Sequence, residues 1–223
     1  MKKAVVIVAG GTGTRMNTSV PKQFLLLGGR PLLMYSLDAF SQAEPGIRII
    51  LVLPEPFVCL WSTLCKEYSF TISHEVVHGG ETRFHSVSNA LNLIEGDGLI
   101  AIHDGARPLV SQPLIQRAFQ SALQNGNAIP AIAVSESVRK IDERGSHPVN
   151  RHDYRIIQTP QIFGTAQLKQ AYRQAYRAEF TDDATVLEST GEIVHLVDGE
   201  PLNIKITQPE DLILAEYLLN CTV

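Results

Sequence analysis

The chain has 223 residues, of which 44% are hydrophobic, and its formal net charge is −4 at pH 7. This length and composition are sufficient for one domain with a sizeable core. The acidic balance argues against nucleic acid or an anionic membrane surface as a partner, because both favour a basic protein surface. No stretch of the sequence approaches the roughly 20 apolar residues that a membrane span requires. We therefore expect a globular protein whose partners include neither nucleic acid nor a membrane.

The cysteines indicate a reducing environment. Cys59, Cys65 and Cys221 form no C-x-x-C pair and are odd in number, so a disulfide framework is not expected. The expected location is the cytoplasm. Two lysines before an apolar run imitate a signal peptide, but the run is short and a glycine-rich segment follows it at once. We interpret this run as the first strand.

Short apolar runs alternate with segments of helical periodicity. The predicted strands are residues 4–7, 47–53, 75–78, 99–103 and 128–134. Apolar residues at helical spacing occur at positions 33, 37 and 40, at 84, 87, 91 and 94, and at 115, 118, 119 and 122. Such alternation with continuously apolar strands predicts an α/β fold, in which a mostly parallel, doubly wound, Rossmann-like sheet is covered by helices on both faces.

The alternation is interrupted by a polar region at about residues 135–157. Two β-prone pieces, 137–141 and 148–151, flank a turn at 144–146. This pattern predicts a β-arm that projects from a single domain covering residues 1–223. Beyond the arm, the predicted elements are a helical region at about 165–177, short strands at 193–197 and 203–206, and a last helix from about Pro209.

The segment after the first strand combines glycines with fixed positive charge. Residues 10–15 read GGTGTR, and Lys22 stands seven residues after Arg15. Glycines allow backbone N–H groups to come close to an anion, so the segment predicts a phosphate-binding loop. It is not the loop G-x-x-x-x-G-K-[ST], and it lacks the third glycine of the dinucleotide-binding fingerprint. On these residues alone, an ordinary turn between strand and helix is the alternative.

Two other segments also follow strands, and ligands of such sheets bind beyond the carboxyl ends of the strands. Asp104 stands where a carboxylate can hold Mg²⁺ or can cap a turn. Arg107 can meet a phosphate or a structural carboxylate. Residues 79–87 (GGETRFHSV) open a helix whose N-terminus is suited to an anion, with Arg83 and Ser86 on one face. The alternative is that these two side chains are simply solvated.

Several polar motifs have structural explanations. Residues 74–78 match H-E-x-x-H, but the Val-Val interior and the glycines that follow predict a strand instead of the helix that a zinc site requires. Thr181 is a natural N-cap, and residues 207–210 have capping-box spacing. Lys205 lies between two isoleucines and faces either solvent or the site.

Seven motifs occur together, in order, over essentially the whole chain. They are residues 9–16 (AGGTGTRM), 21–24 (PKQF), 79–87 (GGETRFHSV), 103–108 (HDGARP), 158–163 (QTPQIF), 181–184 (TDDA) and 203–207 (NIKIT). Together they resemble the 2-C-methyl-D-erythritol 4-phosphate cytidylyltransferases of the non-mevalonate isoprenoid pathway. One departure is Gly105, where the family usually has alanine. This is a small change, because that position contributes mainly its backbone.

The resemblance implies an enzyme that joins CTP and methylerythritol phosphate and releases pyrophosphate. The residues that it assigns to catalysis are Arg15, Lys22 and Lys205. Those that it assigns to substrate binding are Ala9, Gly10, Gly11, Gly13, Gly80, Arg83, Ser86, Gly105, Arg107, Arg151, Thr181 and Thr207. Asp104 is expected to hold the cofactor Mg²⁺ on the triphosphate. The family is dimeric, so the arm is expected to bring Arg151 into the site of a second subunit.

Three other functions are alternatives to a methylerythritol phosphate cytidylyltransferase. The first is a ribitol-5-phosphate cytidylyltransferase, which shares several of these motifs; residues 81–87 and Arg151 favour methylerythritol phosphate. The second is a sugar-transfer enzyme, but such enzymes usually carry Asp-x-Asp, which this sequence lacks. The third is a non-catalytic nucleotide-binding module, which has little need of a cation such as Lys22.

Overall fold

The computed structural model describes residues 1–11 and 21–221. The predictions for Gly13 and Arg15 lie outside the described residues. Within the described ranges the strands are β1 (Lys2–Val8), β2 (Leu26–Leu27), β3 (Arg30–Pro31), β4 (Arg48–Leu53), β5 (Glu75–His78), β6 (Gly98–Asp104), β7 (Asn127–Ala133), β8 (Arg139–Asp142), β9 (Gly145–Pro148), β10 (Arg155–Ile157), β11 (Gln161–Gly164) and β12 (Leu196–Asp198). The α-helices are α1 (Leu32–Ala43), α2 (Val58–Glu67), α3 (Arg83–Leu91), α4 (Gln112–Asn125), α5 (Thr165–Ala171), α6 (Asp183–Glu188) and α7 (Pro209–Cys221).

The main sheet is mixed, with a parallel half built from β5, β4, β1 and β6 in that spatial order. β11 pairs antiparallel with β6, and β7 pairs antiparallel with β11 and β10 and parallel with β12. The predicted α/β architecture with a mostly parallel core is confirmed. Val8 is paired with Asp104, so the segments that follow β1 and β6 leave the sheet side by side.

The apolar strands are buried on both faces because helices cover both. Along β1, Val5 and Ile7 pack into the cluster that contains residues of α1 and α4, whereas Val6 packs into the cluster that contains residues of α3, α5 and α6. This explains why β1 has a continuous apolar run instead of strict alternation. In the described part of the chain, no helix is both long and apolar enough to cross a membrane.

The arm contains a hairpin, β8–β9, whose turn lies earlier in the chain than the predicted turn at 144–146. The Asp142 side chain accepts a hydrogen bond from the Arg144 backbone N–H at 2.9 Å, and Gly145 adopts a φ of +107°. Both features place the turn at residues 143–144, so the second strand is Gly145–Pro148. The prediction of a strand at 148–151 is therefore wrong, and a short 3₁₀ helix begins at Arg151.

Three other predicted elements differ, and one of them, the strand predicted at 193–197, is Leu196–Asp198. Residues 203–206 form no strand; the segment is held by a backbone bond from Ile206 N–H to the Ala106 carbonyl at 2.8 Å. The helix predicted at 165–177 is shorter than expected and ends at Ala171. The strand Glu75–His78 is as predicted for the H-E-x-x-H segment. There, the Trp61 indole N–H donates to His74 Nε2 at 2.8 Å, a structural role for that imidazole.

Candidate active site

A cavity of about 390 Å³ opens at the carboxyl ends of β1 and β6. Its lining includes Ala9, Gly10, Gly11, Lys22, Gly80, Arg83, Ser86, Asp104 and Lys205. A second cavity of about 160 Å³ shares Arg83, Asp104 and Lys205 with it and adds Arg107 and Thr181. A larger hollow of about 620 Å³ lies at the opposite edge of the sheet, around the start of β1. The carboxyl edge is where ligands of such sheets bind, so the two adjoining cavities are the candidate site.

The glycine turn before α3 is packed closely against the first turn of that helix. A Cβ atom at Gly80 would lie 2.4 Å from His85 Cβ, so no side chain fits there. The Gly80 backbone N–H donates to Ser86 Oγ at 3.0 Å. Thr82 caps the helix by accepting from the His85 backbone N–H. The cap and the glycines thus hold the N-terminus of α3 at the cavity wall, where its partial positive charge favours an anion.

Asp104 is the acidic centre of the site. Lys205 Nζ lies 2.8 Å from Asp104 Oδ2, Arg83 Nε 3.5 Å from Oδ1, and Arg107 Nε 3.7 Å from Oδ2. Burial alone would raise the pKa of Asp104, but the charges of Arg83, Lys205 and Arg107 outweigh it and lower that pKa well below its usual range. Asp104 is therefore ionised near neutral pH.

The lysines of the site come from two distant segments. Lys205 faces the site instead of bulk solvent, which decides between the two orientations that the sequence left open. Lys22 lines the same cavity, with Nζ 3.5 Å from the Ile206 carbonyl oxygen. Both ammonium groups can therefore face an anion in the cavity.

Arg107 is buried and, besides its contact with Asp104, has a structural role. One of its terminal nitrogens donates to the Asn203 carbonyl at 2.7 Å, which ties the segment carrying Lys205 to the loop after β6. Its Nε is buried, has no hydrogen-bond partner among the residues that the structure describes, and lies near Asp104. Burial lowers the pKa of Arg107, opposed by the charge of Asp104.

Other predicted residues lie around the cavities in different ways. Gly105 lies beneath them, where a Cβ atom would be 2.9 Å from Leu33 Cδ1. Thr207 Oγ1 donates to Asp211 Oδ2 at 2.8 Å, so the partner in this cap is Asp211, not Glu210 as the spacing suggested. Arg151 is exposed on the arm, outside the lining of both cavities, and it donates to the Ser135 carbonyl at 2.5 Å.

The TDDA segment differs most from its prediction. The N-cap of α6 is Asp182, whose side chain accepts from the Thr185 backbone N–H at 2.9 Å, and not Thr181, which lines the smaller cavity. Asp183 is fully buried and bonded to Arg83 at 2.6 Å. The segment was predicted only to cap a helix through Thr181, and the buried contact of Asp183 was not predicted. A helix cap needs only one acid, but this segment has two. The second acid was the signal in the sequence for a further role.

His103 supports Asp104 from beneath. The Asp104 backbone N–H donates to Thr159 Oγ1 at 3.0 Å, and Thr159 Oγ1 lies 3.1 Å from His103 Nδ1. On the other side of the ring, Nε2 is 3.2 Å from the Arg107 carbonyl. Nε2–H therefore donates to the carbonyl, and Nδ1 accepts from the threonine. Burial lowers the pKa of His103 to about 4, which keeps this neutral tautomer in place.

The comparisons with known proteins agree with this geometry. The family model for IspD, 2-C-methyl-D-erythritol 4-phosphate cytidylyltransferase, matches residues 3–221. The chain belongs to this cytidylyltransferase family. Curated relatives of that name from Bacteroides thetaiotaomicron and Bacteroides fragilis are 48% and 50% identical over 219 residues, covering 98% of this chain and 100% of each relative. The family resemblance drawn from the seven motifs is confirmed.

Solved structures of this cytidylyltransferase family share the fold. The crystal structure of the enzyme from Thermus thermophilus is 34% identical, has a TM-score of 0.80, and covers 99% of this chain and 100% of its own. A synthase structure from Anaerococcus prevotii has a TM-score of 0.84 at 28% identity, covering 98% of this chain and 96% of its own.

The buried imidazole of His103 makes the stability of this cytidylyltransferase family member depend on pH. The folded protein keeps the ring neutral down to about pH 4, whereas the unfolded chain protonates it near pH 6.5. Acidification between these values therefore favours unfolding. From pH 7 to pH 5, we expect this group alone to lower the free energy of unfolding by about 2 kcal/mol. Urea unfolding of the wild type and of His103→Asn, at one protein concentration, measures the difference.

The His103→Asn variant should lose this part of the pH dependence, whatever its stability at pH 7. His78→Asn, which removes an exposed imidazole on β5, is the control and should keep the wild-type dependence. Equal pH dependence of the wild type and His103→Asn would contradict the assignment.

Proposed function

We propose that the chain is a Mg²⁺-dependent cytidylyltransferase that joins CTP and 2-C-methyl-D-erythritol 4-phosphate. The products are 4-diphosphocytidyl-2-C-methylerythritol and pyrophosphate, and the reaction belongs to non-mevalonate isoprenoid precursor synthesis. The observation that carries the proposal is the family match over residues 3–221, together with one cavity that gathers cations around Asp104.

The reaction brings two anions together. A phosphate oxygen of methylerythritol phosphate attacks the α-phosphorus of CTP, a new P–O bond forms, and the bond to pyrophosphate breaks. A phosphate monoester is largely dianionic at pH 7, since its second pKa is about 6, so no general base is required. Such transfer depends on positioning and on stabilising charge. Lys22 and Lys205, both in the cavity wall, are suited to this task. Arg15 is assigned the same role by the family resemblance.

The nucleotide is proposed to lie along the first cavity. The backbone of residues 9–11 and the turn at Gly80 present it with a wall without bulky side chains, and Ser86 fixes that turn. Gly13 is assigned to the same loop by the resemblance. Arg83 supplies positive charge at the boundary between the two cavities.

The sugar phosphate is proposed to occupy the second cavity. Arg107, Thr181 and Lys205 line it and provide two cations and a hydroxyl. Thr207 lies two residues beyond Lys205 and is held by Asp211, which fixes the segment that carries the lysine. Gly105 contributes the close backbone packing that brings Arg107 and Asp104 to the cavity.

Asp104 is the residue that we propose to hold Mg²⁺. An ionised carboxylate at the boundary of both cavities suits a cation that takes one or two protein carboxylates and completes its shell with phosphate and water. Within the described ranges, no group of three or more His, Cys, Asp or Glu side chains could hold a metal ion, so the remaining ligands would come from substrate and solvent. When bound, the metal would neutralise triphosphate charge.

The arm is proposed to join two copies of the chain into a homodimer. Every residue of β8 and β9 is exposed, and Ile141 is 81% exposed. A two-stranded hairpin alone is marginally stable in water, so a covering surface is expected. Ile156 on β10 and Leu196 on β12 are also exposed apolar side chains. In such a dimer, Arg151 would serve the partner's site.

We further propose that residues 1–223 form one catalytic domain, with the arm at about 135–157 used for dimerisation. A reducing cytoplasm is the proposed location, because Cys59, Cys65 and Cys221 are all free. The ribitol-phosphate alternative is not favoured, since the curated relatives at 45–50% identity all carry the methylerythritol phosphate name. A non-catalytic nucleotide-binding module is likewise not favoured.

Pyrophosphate release is the direct test of the proposed function. The wild type, given CTP and Mg²⁺, should release pyrophosphate with methylerythritol phosphate and at least about tenfold more slowly with ribitol 5-phosphate, because the matching family model and the curated relatives carry the methylerythritol phosphate name. Removing Mg²⁺ with a chelator should stop release. Faster release with ribitol 5-phosphate would overturn the choice of substrate.

The Lys22→Ala variant separates catalysis from nucleotide binding. It should lower kcat by at least about 100-fold and weaken CTP binding, measured by calorimetry, by less than about fivefold, because the cation is needed most where charge develops. Lys66→Ala changes an exposed lysine of α2 that does not line the cavity; it is the matched control and should match the wild type. Equal losses of kcat and of affinity would contradict the role of Lys22.

Subunit mixing tests the shared site. Arg151→Ala and Lys22→Ala homodimers should both be inactive, but a purified heterodimer of the two has one site with both residues intact. We expect it to regain about half of the wild-type activity per dimer, since sites that act independently contribute equally. A verified heterodimer that stays inactive would contradict a site built from two subunits.

A further inference from the structure

A line of polar contacts runs from helix α6 to the cavity. The Tyr172 hydroxyl donates to Asp183 Oδ1 at 2.6 Å, and Arg83 Nη2 donates to Asp183 Oδ2 at 2.6 Å. Arg83 Nε lies 3.5 Å from Asp104 Oδ1. Both oxygens of Asp183 are therefore engaged, and the charges alternate from Asp183 through Arg83 to Asp104.

Asp183 is placed outside the cavities that it influences. It is fully buried and absent from the lining of both. An ionised carboxylate at such a position is costly unless it is paired and hydrogen-bonded, and both conditions are met here by Arg83 and Tyr172. The structure thus retains a buried charge whose main partner is a cation of the cavity wall.

The Tyr172 hydroxyl is held in direction by its ring. The ring stacks on Phe84, with centroids 4.6 Å apart and planes 18° from parallel. Burial raises the pKa of Tyr172, and the charge of Asp183 raises it further, so the hydroxyl keeps the proton that it donates. Phe84 is the neighbour of Arg83 on α3, so this stacking also connects the end of α5 with the start of that helix.

Arg83 lies between two carboxylates, and the contact with Asp183 is the shorter. Burial would lower the pKa of Arg83, but the charges of Asp183 and Asp104 raise it far above its ordinary value. The guanidinium is therefore a permanent cation held from the α6 side. Without Asp183, the remaining carboxylate beside it would be Asp104, and the guanidinium would move towards the cavity acid.

We propose that Asp183, oriented by the Tyr172 hydroxyl, is a positioning residue that fixes the Arg83 guanidinium at the boundary of the nucleotide cavity. This inference rests on the proposed function, because it assigns Arg83 to the binding of CTP. Under this proposal, Asp183 and Tyr172 determine how CTP is bound although neither contacts the substrates.

The test is a double-mutant cycle between Asp183 and Arg83. In Asp183→Asn, the amide oxygen can still accept from Tyr172, but the amide nitrogen meets Arg83 with a donor and no charge. We expect kcat/KM for CTP to fall by about 10- to 100-fold, mainly through KM, as is typical of residues that orient a contacting side chain. In an Arg83→Gln background, the same substitution should lower kcat/KM by less than about threefold, because its target is already absent.

Matched variants and a stability measurement accompany the cycle. Tyr172→Phe keeps the stacked ring and removes only the hydroxyl, so KM for CTP should rise by about threefold or more. If Asp183→Asn does not fold, Tyr172→Phe replaces it as the test of the proposal. An unchanged KM for CTP in Tyr172→Phe would overturn the proposal. Tyr176→Phe, which packs against the same Phe84 ring, and Glu188→Gln, an exposed acid of α6, should match the wild type. Thermal melting confirms that the compared variants are folded.

Two results of the double-mutant cycle would overturn the inference, each for a different reason. Equal losses from Asp183→Asn in both backgrounds would mean that Asp183 acts on the fold in general and not through Arg83. No loss in the wild-type background would mean that Arg83 needs no positioning. A wild type that neither binds CTP nor releases pyrophosphate would instead overturn the proposed function, and with it the inference.

Discussion

The carboxylate of Asp104 attracts three cations that come from separate parts of the chain. Arg83 begins helix α3, Arg107 follows β6, and Lys205 precedes α7. Cations this close together repel one another unless an anion lies between them, and the repulsion is stronger away from water. The ionised carboxylate of Asp104 therefore helps to fix these cations before any substrate arrives, and Asp183 holds Arg83 from the other side.

The parallel sheet explains why this cluster forms where it does. Because Val8 pairs with Asp104, the glycine-containing segment after β1 and the acid at the end of β6 leave the sheet together. The cations gathered around Asp104 favour phosphate-rich ligands and stabilise charge that develops between them. This is the electrostatic requirement of a reaction between CTP and a phosphate monoester, and it agrees with membership of the cytidylyltransferase family.

Local patterns in the sequence were sufficient to predict some of these features, but they could not predict others. Apolar runs and glycine turns predicted the parallel strands and the edge that carries Asp104, because those signals act over a few residues. The role of Asp183 could not be predicted, since its partner Arg83 is 100 residues away. The hairpin register depended on the Asp142 side chain, and the 203–206 segment on a contact with Ala106. Such choices are made by tertiary contacts instead of local pattern.

The ionisation of Asp104 tests this account most directly. Carboxyl carbons of ¹³C-labelled aspartate can be followed by NMR as the pH is lowered, with the Asp104 signal identified by its loss in Asp104→Asn. The account predicts that this carboxyl stays ionised well below about pH 3.9, the ordinary value for aspartate, until the protein unfolds. Protonation of Asp104 at or above that value in the folded protein would contradict it, because the three cations would then lack their common anion.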